Sequence, residues 1–306
     1  MFRAVLLLLW LGLACLPTGP AAAQAIRITD KHGDHSFAQP PGRVMALTWS
    51  LAEQVIELGV TPVGVADVDG YTTWVVQPPV PDGVANTGLR GTPNFERIAE
   101  LQPDVILLGD RQEAFIPQLE RIAPVLQFEL FSEGHDNAET ARRTYLTLSR
   151  LFGREAEATA RLAQLDTKLA GLADKLAAAY GDGVLKVSVV RFAGATSVRA
   201  YGANSMPEAA LTALGIESAW PQPVSKWGFV TRPVTEMGGI AEGIVFYIGP
   251  LEMEEEVLNS PLWNAMPVSS EGRLHGLDPV WTYGGVFSIG YLAELIAGKL
   301  LEIAPR

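Results

Sequence analysis

The 306-residue chain has one cysteine, Cys15, and four histidines. Cys15 lies in an apolar leader. Cleavage after Ala23 would leave a chain with no cysteine, excluding disulfides, thiol catalysis and cysteine-ligated metal. His32, His35 and His135 sit in polar, loop-like surroundings, and His275 follows a turn. The pair in His32-Gly33-Asp34-His35 has a metal-compatible spacing. A local pair on a terminal stretch ahead of the first strand nevertheless reads more simply as solvated polar residues. Neither a phosphate-binding P-loop nor a Gly-x-Ser-x-Gly elbow is present, and no nucleophile–base set is apparent. Beyond the leader, no run is long and apolar enough to cross a bilayer. Lys and Arg number 23 against 34 Asp and Glu, a net charge of −11. Such a chain is a poor partner for nucleic acid or an anionic membrane.

The leader itself is informative. Met1-Phe2-Arg3 is a short basic start, Ala4 to Leu16 is apolar, and Ala21-Ala22-Ala23 offers a small-residue cleavage site. These features predict a secretory signal peptide over residues 1–23, cut before Gln24. Lipid attachment at Cys15 is disfavoured by Gly12, where a larger aliphatic residue is wanted. About 280 residues remain, enough for one two-lobed unit or two domains. Hydrophobic residues make up 48% of the chain, which supports a full core.

Strand and helix signals alternate. Arg43 to Leu47 reads as a buried strand, and Ser50 opens a helix that Gly59 stops. Val60 to Ala66 reads as a second strand, Phe115 to Ala123 as a helix and Pro124 to Leu130 as a strand. Residues 88–109 give a loop bearing Arg90, a short helix, a turn and a buried strand. A looser echo at 230–249 again has an arginine, a proline, a capping residue, a first-turn glutamate and an apolar strand. Arg154–Tyr180 predicts one long helix, roughly 40 Å at about 1.5 Å per residue. The second half reads as strands at Leu185–Val190 and Ile244–Ile248. Its helices are expected at Ser205–Leu214, after Ser260-Pro261 and at Ser288–Ile303. This order predicts an α/β fold of two lobes, each a mostly parallel sheet with flanking helices, joined by the long helix. The boundaries are 24–150 for the N-terminal lobe, 151–182 for the connecting helix and 183–306 for the C-terminal lobe. A cleft between two such lobes is where a small ligand binds.

The aromatic residues concentrate where such a cleft would be. Trp49 lies at the carboxyl end of the first predicted strand, Trp74 beyond the second, and Trp227 in a proline-rich loop with Trp220. Trp281 and Tyr283 share a side of an extended segment. Ligands of open α/β sheets bind beyond the carboxyl ends of strands, and Trp and Tyr combine apolar area with one polar tip. Arg90, between Gly88 and Gly91, can present five donors to an oxygen-rich ligand. Glu96 and Glu236 each occupy a first helical turn, behind Asn94 and Thr235. The helix dipole alone favours a carboxylate there; their repetition adds a two-point acidic handle for a basic partner.

Several segments together carry a family resemblance. They include Pro41-Gly-Arg-Val-Met-Ala-Leu47, Ala46-Leu47-Thr48-Trp49, Tyr71-Thr-Thr-Trp74 and Gly88-Leu89-Arg90. Ala203-Asn204-Ser205, Pro261-Leu-Trp-Asn-Ala-Met-Pro267 and Val280-Trp281-Thr282-Tyr283-Gly284 complete the set. From about Ile26 to its C-terminus the chain resembles the periplasmic substrate-binding proteins of iron–siderophore and vitamin B12 ABC importers, and among them the ferric hydroxamate branch. The resemblance implies a class III periplasmic binding protein: a rigid, monomeric, non-enzymatic carrier in the periplasm. Its partners would be a ferric siderophore and an inner-membrane ABC permease, with no cofactor and no protein ligand to the metal. It implies that Arg90 contacts the hydroxamate oxygens and that Trp49, Trp74, Trp227, Trp281 and Tyr283 line the pocket. Gln112 falls near the family's ligand-binding tyrosine, among Asp110, Arg111 and Glu113, which change the local charge. Glu96 and Glu236 match the glutamates that dock on permease arginines. The alternatives are another chelate (haem, cobalamin or a catecholate) or a secreted α/β enzyme. A strongly anionic catecholate complex calls for several arginines, and Arg90 is the single obvious one.

Overall fold

The computed structural model describes residues 25–181, 185–251, 258 and 260–305. The expected signal peptide and Cys15 lie outside the described residues.

The chain opens with a hairpin, β1 (Ile26–Asp30) and β2 (Gly33–Phe37). Then come β3 (Val44–Ala46), α1 (Trp49–Glu57), β4 (Gly64–Val65), α2 (Val68–Trp74) and β5 (Ala85–Asn86). A second hairpin, β6 (Gly88–Leu89) and β7 (Thr92–Pro93), leads into α3 (Phe95–Glu100) and β8 (Val105–Gly109). A 3₁₀ turn over Asp110–Phe115, α4 (Ile116–Leu119) and β9 (Val125–Phe128) complete the first half. The sheet order is β5-β4-β3-β8-β9, and every pairing is parallel. β3 and β8 are buried along their whole length, as strands covered on both faces must be.

Two helices follow, α5 (Asn137–Phe152) and the 26-residue α6 (Glu155–Tyr180). The second half contains β10 (Lys186–Gly194), β11 (Ser197–Tyr201), α7 (Met206–Ala213), β12 (Glu217–Ser218) and β13 (Phe229–Pro233). It continues through a 3₁₀ turn over Val234–Gly239, β14 (Ile244–Ile248), α8 (Pro261–Asn264) and α9 (Pro267–Ser270). It ends with β15 (Leu274–Leu277) and α10 (Val286–Glu302). Here the sheet order is β13-β11-β10-β14-β15, with β12 beside β10. β10, β12, β14 and β15 run parallel, while β11 and β13 are antiparallel additions at one edge.

Several elements are shorter than the sequence predicts. Only Gly64–Val65 of the expected strand 60–66 pairs in the sheet; Pro62 has no N–H to give a ladder. The expected helix 115–123 is a 3₁₀ turn running into four helical residues, with Pro117 in its first turn. The junction between halves is also broader than one helix. α1, α5, α6, α7 and α10 share one continuous apolar core, including Leu51, Leu148, Leu165, Leu211 and Leu292.

Polar ties reinforce that junction. The Glu53 carboxyl group of α1 accepts the backbone N–H groups of Gly285 and Ser288, each at 3.0 Å, at the start of α10. One turn on, Glu57 accepts from Arg161 of α6 and Tyr291 of α10. Asn204 donates to the carbonyls of Ser132 at 2.9 Å and Ser225 at 3.0 Å.

Burial outweighs the two N–H donors at Glu53 and pushes its pKa from 4.5 up to about 8. A carboxyl whose pKa is raised on folding binds its proton more tightly in the native chain. Its contribution to stability is therefore complete below the unfolded value and is lost as pH rises through the folded one. The melting temperature is expected to fall as pH is raised from about 5 to about 8.5, with Glu53→Gln flattening that part of the profile. Thermal melts of both proteins across this range check it; equal slopes would contradict it.

Candidate ligand-binding site

The carboxyl ends of β3, β10, β14 and β15 face a cavity of about 410 Å³ between the two halves. On the first half its wall is Trp49, Trp74 and Arg90. On the second half it is Trp281, Arg191, Arg199 and Phe192, with the hairpin tip 193–195 and Pro250-Leu251 at the rim.

Each first-half residue is held by local structure. Trp49 is the first residue of α1, 2% exposed, and its Nε1 donates to the Ala66 carbonyl at 2.9 Å. Gly70 makes room for it: a Cβ there would lie 2.7 Å from both Trp49 Cζ2 and the Asp67 carboxylate. Asp67 adopts the left-handed conformation, φ 57°, and its side chain caps α2 by accepting the Gly70 N–H at 3.2 Å. Arg90 sits at the tip of the β6–β7 hairpin, with its guanidinium carbon 3.4 Å from the Trp49 ring centroid and 5.5 Å from that of Trp281. Asp67 is its ion-pair partner at 3.7 Å. Its Nε is buried without a hydrogen-bond partner. Burial pulls the Arg90 pKa down and Asp67 partly offsets this; an arginine remains charged at any physiological pH.

Trp281 is the centre of the aromatic set. Its ring lies 4.9 Å from Trp49 and 5.2 Å from Tyr283, both edge-on. Arg191 comes within 5.3 Å of the Trp74 ring and 6.0 Å of Trp281. A polarised aromatic face attracts a guanidinium at such distances. The cavity therefore offers apolar walls and three cations, with no carboxylate among its described lining residues.

The structure brings Trp49, Trp74, Arg90 and Trp281 together, whereas Gln112, Trp227 and Tyr283 are not in the cavity wall. Gln112 is 3% exposed and turned inward. It accepts from Thr48 Oγ1 at 3.0 Å and donates to the carbonyls of Leu47 and Arg90, each at 3.3 Å. It thus props the Arg90 hairpin from behind. Trp227 packs 5.9 Å from Phe131, with Arg111 5.3 Å from its ring. Tyr283 lies behind Trp281, among Phe131, Tyr201 and Phe229. Arg191 and Arg199 escaped sequence reading, and they revise the view of Arg90 as the single cleft arginine. The signal for Arg191 was a charge closing the apolar run Val187-Ser188-Val189-Val190.

Glu96 and Glu236 are both exposed. Asn94 caps α3 by accepting the Arg97 N–H at 2.9 Å. Thr235 is no cap, because Glu236 stands in a 3₁₀ turn that begins after Pro233; it pairs with Arg232 at 3.7 Å. His32 bonds Gln127 at 2.5 Å and His35 pairs with Asp30 at 3.0 Å. Among the described residues no three His, Cys, Asp or Glu side chains form a metal-ready group.

The family model "Periplasmic binding protein" matches residues 44–280. The iron(3+)-hydroxamate-binding protein FhuD of Escherichia coli (strain K12) is 28% identical over 271 residues, covering 87% of this chain and 90% of that protein. A probable siderophore-binding lipoprotein of Bacillus subtilis (strain 168), YfiY, is 30% identical over 283 residues, covering 86% and 83%. Among solved structures, the Fe3+–Desferal-bound siderophore-binding protein FhuD of Vibrio cholerae matches with a TM-score of 0.84 and 43% identity, covering 86% of this chain and 99% of that one.

The Gln112 geometry yields a prediction. Gln112→Leu removes the partners of Thr48 and of two carbonyls in a buried place, and should cost about 1–3 kcal/mol of stability. Urea denaturation measures this, and a loss below about 0.5 kcal/mol, the scale of a neutral surface change, would contradict it.

Proposed function

This chain belongs to the periplasmic binding protein family, and we propose that it captures a ferric hydroxamate siderophore in the inter-lobe cavity and delivers it to an ABC permease. The observation that carries the reading is the cavity itself, in which edge-on tryptophans meet guanidinium donors at the carboxyl ends of the strands. Its volume, about 410 Å³, falls in the usual range for small-ligand sites. Further support comes from the 43% identical neighbour, whose structure holds Fe3+–Desferal.

The chemistry is coherent. A ferric trihydroxamate is coordinatively saturated, so the protein has no metal ligand to supply. It provides aromatic faces for the organic arms and donors for the oxygens around iron. In this reading the chelate is cargo rather than cofactor, and the protein is a carrier rather than an enzyme. Trp49, Trp74, Trp281 and Arg90 contact the chelate, while Gln112, Trp227 and Tyr283 support the wall. Residues 1–23 direct export to the periplasm, where the protein works as a monomer without nucleic acid. Residues 24–150 and 183–306 are its lobes, and 151–182 is the link.

Titration of tryptophan fluorescence against ferric hydroxamates, ferric catecholates, haem and cobalamin tests the reading. Quenching by a ferric hydroxamate at sub-micromolar to micromolar levels is expected, about −8 to −10 kcal/mol. Response to haem or cobalamin alone would overturn it. Arg90→Ala should weaken hydroxamate binding roughly tenfold to a hundredfold, since a charge-assisted hydrogen bond contributes about 1.5–3 kcal/mol. Unchanged affinity in a folded variant would return Arg90 to its pairing with Asp67.

Glu96 and Glu236 serve the transporter in this account, one exposed carboxylate on each lobe. The double reversal Glu96→Arg with Glu236→Arg should bind chelate normally yet fail in cellular iron uptake, because facing like charges cost several kcal/mol. Uptake that survives the reversal would remove the docking role.

A further inference from the structure

Two of the three cavity guanidinium groups come from one hairpin. β10 and β11 are antiparallel, and Arg191 lies directly across from Arg199 in their register. Opposed residues of this kind share a face with Cβ atoms about 4.5–5.5 Å apart, and like charges so placed repel. Arg191 is only 5% exposed. Its Nη2 donates to the Val280 carbonyl at 2.7 Å, but its buried Nε has no hydrogen-bond partner. Arg199 donates to the Tyr283 hydroxyl at 3.5 Å. Among the described residues neither arginine forms an ion pair, whereas Arg90 has Asp67. A buried cation without an anion is costly and is ordinarily paired. Here Arg191, buried, and Arg199, partly buried, face each other across the strand pair at one cavity wall with no anionic partner among the described residues, and an anionic group on the ligand would relieve both.

The charge is also off centre. Asp67 tempers Arg90 on the first half, so among the described residues the excess of positive charge sits at the β10–β11 hairpin. An iron centre that is itself strongly anionic calls for cations distributed around it. A pendant anion needs cationic donors to one side, and the fork of a single guanidinium matches the planar geometry of a carboxylate. We infer that Arg191 and Arg199 form a carboxylate subsite, so that the preferred cargo is a ferric hydroxamate bearing a free carboxylate directed at the hairpin. The inference rests on the ferric hydroxamate reading above.

Three chelates that differ only at the tail test it: ferrioxamine B with its free ammonium, the N-acetyl derivative and the N-succinyl derivative. The arms and the iron centre are the same in all three. The protein should bind the succinyl chelate on the order of tenfold to a hundredfold more tightly than the acetyl one, and the ammonium form least well. The succinyl preference should shrink as salt rises from about 20 mM to about 500 mM, because the interaction is between charges. Arg191→Gln and Arg199→Gln should each bring the succinyl-to-acetyl ratio close to one. The wild-type ratio, its salt dependence and the half-exposed Arg199→Gln decide the matter even if Arg191→Gln does not fold. Equal affinity for succinyl and acetyl chelates in the wild type overturns the carboxylate subsite and leaves the hydroxamate reading standing. Failure of all three chelates to bind overturns the carboxylate subsite, and the hydroxamate reading falls with it if the fluorescence titration finds no other ferric hydroxamate bound.

Discussion

The cleft depends on one buried carboxyl group. Glu53 of α1 reaches from the first half of the chain to the start of α10 and accepts two of its backbone N–H groups. A helix N-terminus has unsatisfied donors and a positive dipole end, so an acidic side chain is the natural partner. The contact demands glycine. A Cβ on Gly284 would meet Glu53 Oε2 at 2.4 Å, and one on Gly285 would meet Gln54 Cγ at 2.3 Å. The segment fixed in this way, Val280 to Gly285, carries both Trp281 and Tyr283. Seating the helix therefore also sets the aromatic wall against Trp49. Glu57, one turn later on α1, adds Arg161 and Tyr291 to the same junction. With five helices sharing a single apolar core, the two sheets are held by packing as well as by these polar bonds.

Against that fixed frame the cavity gathers groups that are poorly satisfied without a ligand. Arg191 keeps a buried Nε with no acceptor, and the Arg90 Nε has only the Asp67 carboxylate at 3.7 Å, beyond hydrogen-bond reach. Native interiors leave few such groups, and those that persist call for an explanation. A ligand rich in oxygen atoms supplies one. The tryptophan faces hold the guanidinium groups by cation–π contact in the meantime, so the donors are oriented before the cargo arrives. Such preorganisation lowers the ordering cost of binding.

Much of this architecture is legible in the sequence where burial is continuous. β8 (Val105–Gly109) and β14 (Ile244–Ile248) are unbroken apolar runs, and α6 is announced by a long stretch without proline. The site is legible in part. Trp49 and Arg90 are marked by position, one after a buried strand and the other between two glycines. Gln112 was less readable, because its direction is set by three buried partners from distant segments. Trp227 and Tyr283 lie in loops, where no periodicity says which way a ring points. Arg191 and Arg199 become neighbours only through strand register, and Arg191 is concealed within β10, just after its apolar run. Thr235 looked like a cap by analogy with Asn94, but the chain forms a 3₁₀ turn beginning one residue earlier.

The most direct test of the account is the position of iron in a crystal of the protein grown with a ferric hydroxamate. Anomalous scattering at the iron edge locates the metal without assumptions about the organic arms. The account predicts one strong peak inside the cavity, on the Arg90 side, framed by Trp49 and Trp281 and touching no protein ligand atom. An iron peak coordinated by side chains elsewhere, or a cavity that stays free of iron while the solution shows binding, would contradict it.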